Sequence, residues 1–269
     1  MLLDKIHFPT LLKTWRTQEH LSQLDLALLC DVSQKHISFI ESERSQPSQD
    51  LVLRLGEVLH LPLRQRNQLL LAAGFAPVFS ETDLTAPEFA CVDQAVALIL
   101  DHHEPLPALV IDGKFQIVKS NQAAVKLLMQ LYGVETSDAL PDFSCNLLRG
   151  LFHDDGLWPR IANWHLVGPF LVRQLEDALL HNRHPSQLTA LQKELESYPA
   201  FRDAKKLPVS FSGRMPVLTT DFQLENGEIL SLFSTITKLG LAFDVVLEEM
   251  RVECFFPADD ATRAFFFER

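Results

Sequence analysis

Apolar residues recur at helical spacing through the first 75 positions of the chain. Leu24, Ala27 and Leu28, for example, form a stripe that predicts the inner face of one short helix. Ser22 and Ser33 stand just before two of the predicted helices, where a hydroxyl can accept from an unpaired backbone amide. The pattern predicts a compact domain of five short helices, at about residues 10–20, 23–30, 34–43, 50–59 and 63–73.

The second and third predicted helices are separated by only a few residues. The break Cys30-Asp31-Val32 contains an aspartate, a residue type that tolerates positive φ. Two helices joined by so short a turn are typical of a helix-turn-helix, whose second helix lies in the DNA major groove with its first residues at base edges. A polar helix face can also be merely solvated, but the complete five-helix frame favours DNA reading.

The third predicted helix, QKHISFIESE, begins with polar residues and keeps Ile37 and Ile40 for the interior. Its glutamine can pair with adenine, its lysine can reach guanine or phosphate, and its serine cap and histidine can reach either. Phe39 either completes the core or touches thymine methyl groups. The predicted DNA contacts are Gln23, Ser33, Gln34, Lys35, His36, Phe39 and Arg44.

Two of these residues are expected to meet phosphates rather than bases. Gln23 begins the second helix, where it can donate to a phosphate beside the amide-rich helix N-terminus. Arg44 follows the recognition helix and is a candidate phosphate contact, or alternatively pairs with Glu41 or Glu43.

The hydrophobic pattern changes after a proline-containing joint and a helix predicted over residues 88–103. Short β runs flank Asp112-Gly113 and Asn226-Gly227, which are strong hairpin signals. Further strands are predicted over 217–224, 228–237 and 245–256. Helices are predicted over 121–131, 146–152, 157–181 and 186–195. Pro169 is expected to kink or split the helix predicted over 157–181.

The fold class predicted for the whole chain is α+β. The second half has about five mainly antiparallel strands with inserted helices, which resembles a PAS-like sensor, a curved sheet whose helices enclose a cavity. We predict a DNA-binding domain at residues 1–78, a linker and connecting helix at 79–104, and a ligand-binding domain at 105–269.

Composition narrows the classes of protein to consider. The 269 residues are 47% hydrophobic and 22% charged, as in globular domains, and no window is apolar enough to span a membrane. The beginning of the chain does not resemble a secretory signal, and the four cysteines form no CxxC pair. A cytoplasmic protein without membrane partner is therefore expected.

The net charge of −11 is unevenly distributed. Residues 1–80 hold 8 basic and 8 acidic side chains, so the excess of acid lies in the remainder of the chain. Because net charge does not describe a single face, a neutral first domain can still present a locally basic surface to DNA.

No sequence signature of catalysis is present. The histidine pairs His102-His103 and His181/His184 lack a third ligand at zinc-site spacing, and the chain has no GxSxG, P-loop or GxGxxG motif after a strand. We therefore expect a protein that is not an enzyme and has neither catalytic residues, metal nor obligatory cofactor.

Several segments together resemble one known family over nearly the whole chain. LSQLDLALLCDVSQKHISFIESERSQPS resembles an Xre-type helix-turn-helix regulator. NLLRGLFHDDGLWPRIANW and the segment that ends in FFPADDATRAFF resemble regulators that carry the MmyB-like ligand-binding domain. The resemblance implies a transcription regulator whose PAS-like second domain binds a fatty acid or a similar lipophilic small molecule.

The chain departs from the usual pattern of such domains at three positions. Asp31 and Glu43 stand where glycine is usual or frequent, and Gln46 stands where a basic residue is frequent. The added negative charge and the lost phosphate contact predict a modest, strongly salt-dependent affinity for DNA.

A lipophilic ligand with an acidic head would need polar anchors inside apolar walls. The nineteen phenylalanines form either a plain core or the walls of such a pocket. Within the family-like segment the candidate ligand-binding residues are Arg149, His153, Arg160 and Asn163, with Arg149 and Asn163 preferred. Each could instead make surface salt bridges or contacts, with Asp154, Asp155 or Glu176 as partners.

We therefore expect a homodimeric regulator that binds a double-stranded DNA operator and answers to a lipophilic effector. Two recognition helices would meet two half-sites about one helical turn apart. The alternative is a small-molecule carrier or adaptor that does not bind DNA and uses the helical domain for protein interaction.

Overall fold

The computed structural model describes residues 7–83, 86–181, 186–209, 217–240 and 242–268. These residues form two compact units. One unit contains residues 7–82 and 242–248, along with His181, and the other contains the remaining described residues. The segment 242–248 therefore belongs with the N-terminal helices, although it lies late in the chain.

The N-terminal unit is built from the five predicted helices. They are α1 Phe8–Gln18, α2 Gln23–Leu29, α3 Gln34–Glu41, α4 Gln49–Val58 and α5 Leu63–Ala72. Their apolar faces meet in one core, which includes the fully buried Leu12, Leu26, Ile37, Ile40, Leu55 and Leu69. The serine caps are confirmed: the Ser22 hydroxyl accepts from the Asp25 amide at 3.1 Å, and the Ser33 hydroxyl from the His36 amide at 3.1 Å.

Two details of the predicted helices are wrong. The inner stripe of α2 is Leu26, Ala27 and Cys30, whereas Leu24 and Leu28 are 48% and 70% exposed. Leu26, Ala27 and Cys30 pack in the same core as residues of the other helices, such as Leu12 and Ile37. The third helix ends at Glu41 and not at Glu43, since Glu43 has φ +63° and cannot continue a right-handed helix.

The segment 242–248 contributes a cap to the N-terminal unit. Pro62 precedes α5 and offers no side-chain acceptor, but the Leu63 amide donates to Glu248 Oε2 at 2.7 Å. A carboxylate is favourable there because unpaired amides and the helix dipole make a helix N-terminus electropositive. The Asp244 side chain accepts from the Thr82 amide at 3.0 Å in the same unit.

A five-stranded antiparallel sheet forms the centre of the second unit. Its strands are β1 Ala108–Ile111, β2 Ile117–Ser120, β3 Thr219–Gln223, β4 Ile229–Lys238 and β5 Arg251–Pro257, in the order β2-β1-β5-β4-β3. The predicted Asn226-Gly227 turn is confirmed: Gly227 has φ +84° and the Leu224 amide donates to the Glu228 carbonyl. The antiparallel, mixed α+β fold is therefore as predicted.

Helices lie on both faces of the sheet. On one face, Val96 of α6 Ala90–His102 and Val110 of β1 line a common pocket. The opposite face meets α7 Gln122–Tyr132, α8 Leu147–Phe152 and α9 Trp164–His181. α10 Ser186–Leu195 and α11 Pro199–Lys206 add Leu191 and Phe201 to the same core. Because both faces are covered, every residue of β1 is buried and the strand shows no polar alternation.

The structure corrects two predicted elements and adds two helices. Residues 245–256 are not one strand, because α12 Val245–Glu249 precedes β5 and its Val246 amide is capped by Asp244 Oδ1 at 2.8 Å. The long helix begins at Trp164 rather than near residue 157, and Pro169 lies within it without splitting it. The added helices are α11 Pro199–Lys206 and α13 Asp260–Phe267, the second of which begins at an Asp259 cap.

Candidate DNA interface and ligand cavity

The turn between α2 and α3 has the geometry expected of a helix-turn-helix. Asp31 has φ +51°, its amide donates to the Leu28 carbonyl, and the Val32 amide donates to the Ala27 carbonyl. These two bonds close α2 in a left-handed cap, after which Ser33 starts α3. Asp31 thus adopts the positive φ that an aspartate at a turn can tolerate.

The first residues of α3 face outward. Gln34 and Lys35 are exposed and His36 is partly exposed, whereas Ile37 and Ile40 anchor the opposite side in the core. The Ser33 oxygen accepts from the His36 amide, which leaves its hydroxyl proton for a further acceptor. Four of the predicted DNA contacts are thereby brought together at one helix N-terminus.

Phe39 lies beside the two exposed cations of this surface, Lys35 and Arg44. The side chain is only partly buried, with the Lys35 ammonium 5.3 Å and the Arg44 guanidinium 5.9 Å from its ring centre. Both distances suit cation–π attraction. The ring thus supports two long basic side chains on the outer face of α3, and Arg44 lies over Phe39 rather than forming either predicted ion pair.

A buried ion pair fixes the recognition helix to the helices before it. Glu41, at the end of α3, accepts from Arg16 Nε at 2.7 Å and from Gln23 Nε2 at 2.7 Å, and Arg16 also donates to the Leu21 carbonyl. Gln23, predicted to donate to phosphate, therefore donates within this network.

The surface around the recognition helix carries charges of both signs. Lys35 and Arg44 are exposed beside two exposed acids, Asp31 and Glu43. The Glu43 carboxylate lies 3.3 Å from His7 Nε2. Few net positive charges therefore face outward from this part of the unit.

The second unit holds an apolar cavity of about 120 Å³ between the sheet and the helices α7, α8 and α9. Strands β1, β2, β3 and β5 supply one wall. The described apolar side chains around it include Leu109, Ile117, Leu127, Leu131, Leu147, Leu151, Val167, Leu171, Phe222 and Phe255. Such walls suit a lipophilic molecule or part of one.

The cavity has few polar groups. Glu253 of β5 lines it, and its Oε1 accepts from the Ser234 hydroxyl at 2.8 Å. The Tyr132 hydroxyl donates to the Gly150 carbonyl at 2.9 Å, and burial raises the pKa of this phenol well above its usual value. Tyr132 is thus a neutral donor with its proton already engaged, and Glu253 is the ionisable carboxylate of the described cavity wall.

The first two predicted ligand anchors, Arg149 and His153, contact other protein groups and do not line this cavity. Arg149 makes a two-pronged ion pair with Glu194, with both N–O distances 2.8 Å. This pairing holds the pKa of the Glu194 carboxyl below its usual value. His153 stacks on Phe143 with ring centres 4.0 Å apart.

The other two predicted anchors bind elsewhere as well. Arg160 lies 3.2 Å from Glu225 at the surface. Asn163 donates to the Thr219 carbonyl at 2.8 Å and accepts from the Asp221 amide at 3.1 Å, so it fastens the segment before α9 to β3. None of the four predicted anchors is among the described residues of the cavity wall, and a ligand-binding role for them stays a prediction.

Glu253 was missed by the sequence reasoning, although a signal for it exists. In the segment RVECFFP, alternate residues point to opposite faces of the sheet, so Glu253 shares a face with Phe255 while Val252 and Cys254 share the other. An acid between the buried Val252 and Cys254 of a central strand is unusual, and this alternation is the signal that identifies it.

The described residues include neither a membrane-spanning helix nor a metal-binding cluster. None of the helices in the described ranges is long and apolar enough to cross a membrane. The same residues contain no group of three or more histidine, cysteine or acidic side chains arranged to hold a metal ion.

Comparison with known families agrees with this architecture. Residues 12–65 match the helix-turn-helix family, and residues 92–266 match the MmyB-like transcription regulator ligand binding domain. A comparison with curated proteins gave no match. Since the second match spans well over half of the chain, the protein belongs to the family of transcription regulators with an N-terminal helix-turn-helix and an MmyB-like ligand-binding domain.

Proposed function

We propose that this regulator binds its operator as a homodimer and that a lipophilic small molecule, such as a fatty acid or a relative of one, occupies the cavity of the second unit and changes DNA affinity. The apolar cavity is the observation that carries the proposal. The strand order and the helices beside that cavity also agree with a PAS-like sensor domain. The proposed role includes no catalytic step.

The DNA half of the proposal is supported by the exposed start of α3. Gln34 and Lys35 stand on a helix that is fixed by its buried isoleucines and by the Arg16–Glu41 pair. A rigid helix with outward polar residues is what base reading requires. Two such helices in a dimer would engage half-sites about 34–36 Å apart.

The ligand half is tested first by native mass spectrometry of freshly purified protein, followed by denaturing extraction. We expect a bound lipophile. The variant Ala124→Phe places a ring at the cavity wall and should release it, whereas Ala162→Phe makes the same change at an exposed position and should retain it. A wild-type protein that carries no lipophile and binds none on titration would contradict this half.

A second candidate function is favoured by one observation. Leu24, Leu28 and Leu29 of α2 are 48%, 70% and 57% exposed, which is unusual for large apolar side chains close together. They suit a protein-interaction role for the helical unit in a carrier or adaptor. Retention of the full chain on heparin or duplex DNA, lost on Lys35→Ala but not on Leu28→Ser, would exclude this alternative.

A further inference from the structure

The polar end of the ligand can be inferred from the cavity wall, and this inference rests on the proposed function. Glu253 is the one charged side chain among the described residues around the cavity, and lysine, arginine and histidine are absent from that set. A carboxylate only accepts hydrogen bonds. We propose that the cavity takes a lipophile whose polar end donates a hydrogen bond, such as an alcohol, in preference to an ionised fatty acid.

Glu253 is held at the cavity by the sheet around it. It lies on β5, the middle strand of five, opposite Leu109 of β1 and Ile236 of β4. The Ser234 hydroxyl from β4 donates to its Oε1. Two carboxylate oxygens offer about four acceptor positions, so this bond orients the group and leaves acceptor capacity for a ligand.

Arg251 is the cation of the same strand, and its Nε is buried without a hydrogen-bond partner among the described residues. Arg251 shares a face of β5 with Glu253, but its guanidinium lies 5.0 Å from the centre of the Phe115 ring, and Arg251 is not among the cavity-lining residues. Desolvation lowers the pKa of Arg251, with Glu253 and Asp112 opposing that effect. On the described cavity wall itself, the charge that a ligand carboxylate would meet is therefore that of Glu253.

Other polar groups of the wall do not replace a cation. Tyr132 already donates to the Gly150 carbonyl, and the remaining polar side chains of the described wall are the hydroxyls of Ser144 and Thr220. Like charges brought close together repel, and the partial burial of Glu253 reduces the screening of that repulsion by water. An ionised acid is thus disfavoured relative to an alcohol of the same chain length.

The volume of the cavity indicates the size of the ligand portion it can hold. At about 120 Å³ it is slightly smaller than the ~150 Å³ apolar cavity that takes up one benzene molecule. A chain of about six carbons is therefore a suitable probe.

Three probes of nearly equal size separate the effect of hydrogen-bond donation from the effect of negative charge on binding. Hexan-1-ol donates and accepts, its isomer 1-methoxypentane only accepts, and hexanoate is negatively charged. We expect titration calorimetry with the full-length protein to show hexan-1-ol binding about tenfold more tightly than either of the others. Equal or tighter binding of hexanoate would overturn the proposal.

Variants of Glu253 test whether this residue causes the preference. Glu253→Gln keeps an acceptor and removes the charge, so hexanoate should gain about tenfold in affinity while hexan-1-ol changes less than about threefold. Glu253→Leu removes the acceptor and should make hexan-1-ol and 1-methoxypentane bind alike. Glu225→Gln removes a surface carboxylate outside the described cavity wall and should preserve the wild-type ranking.

The outcomes distinguish this inference from the proposed function. If hexanoate binds best, or if Glu253→Gln leaves the ranking unchanged, the donor preference is wrong while a lipophile-binding cavity still stands. If none of the three probes binds and native mass spectrometry finds no lipophile, the donor preference and the proposed cavity ligand both fail. Circular dichroism of each variant confirms that lost binding is not lost folding.

Discussion

At the scale of single residues, the exposed start of α3 carries the sequence-reading part of the proposal. Gln34 is solvent-exposed on a helix whose opposite face is locked in the core. We expect Gln34→Ala to cost about 1–3 kcal/mol at one base position of the operator and little at the others. Binding measured against single-base operator variants checks this, with the exposed Gln94→Ala as a control that should change nothing.

Arg44 is predicted to act through charge instead of base identity. It is exposed, and its guanidinium rests over Phe39 beside Lys35. We expect Arg44→Ala to weaken binding to all sequences to a similar degree and to reduce the slope of log affinity against log salt by about 1. A loss confined to one operator base would instead make Arg44 a base contact.

The Arg16–Glu41 pair is a residue-scale feature on which the whole recognition helix depends. The two side chains are only 10% and 5% exposed. We expect Glu41→Gln to reduce the free energy of unfolding by about 3–5 kcal/mol, because Arg16 would keep a buried charge without its partner. Urea unfolding measures the loss.

Glu43→Gln is the matched control for that prediction. Glu43 lies two residues further on, is exposed, and contacts only His7 among the ion pairs that the described residues form. Its replacement should change stability by less than about 0.5 kcal/mol. Equal losses in the free energy of unfolding for the two substitutions would show that the buried Arg16–Glu41 pair stabilises the fold no more than an exposed pair does.

At the scale of elements, all five N-terminal helices end in the same way. After each helix one residue has positive φ: His20, Asp31, Glu43, His60 and Gly74. In each case the following amide bonds back to a carbonyl five residues earlier, as from Leu61 to Gly56 and from Phe75 to Leu70. This is the Schellman cap, which glycine suits best, yet only the last of the five is glycine.

These caps give opposite expectations for two substitutions. His60→Gly should stabilise the N-terminal unit by about 0.5–1 kcal/mol. The left-handed conformation strains a residue that has a side chain, and this strain exceeds the extra conformational entropy that glycine loses on folding. Gly74→Ala should destabilise it by about 1 kcal/mol, although a Cβ there would meet no atom within 4 Å. Hydrogen exchange of amides in α4 and α5 reports both, and effects of the same sign would contradict the explanation.

Local patterns predicted most of the elements because their causes lie within a few residues. Ser22 and Ser33 cap the helices that follow them, and the Asn226-Gly227 turn joins β3 to β4. The failures have distant causes. The Val245-Val246 pair favours a strand by propensity, but Asp244 caps a helix there, and Glu248 bonds with Leu63, 185 positions away in sequence.

The two candidate sites also differ in whether their causes are local or distant in sequence. The start of α3 was predictable because helix position alone exposes Gln34 and Lys35. The cavity wall was not, because it depends on which side chains from four strands and three helices meet. Arg149 and Asn163 are predicted ligand anchors by residue type, and that role stays a prediction. Their observed partners, Glu194 and Thr219, could not be predicted because they are more than forty positions away.

At the scale of the whole molecule, the chain combines a DNA-reading unit with a unit that holds an apolar cavity. A ligand can alter DNA binding only if it has different affinities for the DNA-competent and the incompetent states. Such coupling between sites typically amounts to about 1–3 kcal/mol, or a 5–150-fold change in affinity. The sign of the change decides whether the ligand promotes or relieves DNA binding.

The most direct measurement is the dissociation constant of the full chain for a DNA duplex selected from random sequences, by fluorescence anisotropy. Protein stripped of lipophile would be compared with protein saturated with whichever six-carbon probe binds most tightly. We predict a change of at least about fivefold, lost in the cavity-filling Ala124→Phe variant. Identical dissociation constants with and without the bound probe, or no selection of any sequence, would contradict a ligand-responsive regulator.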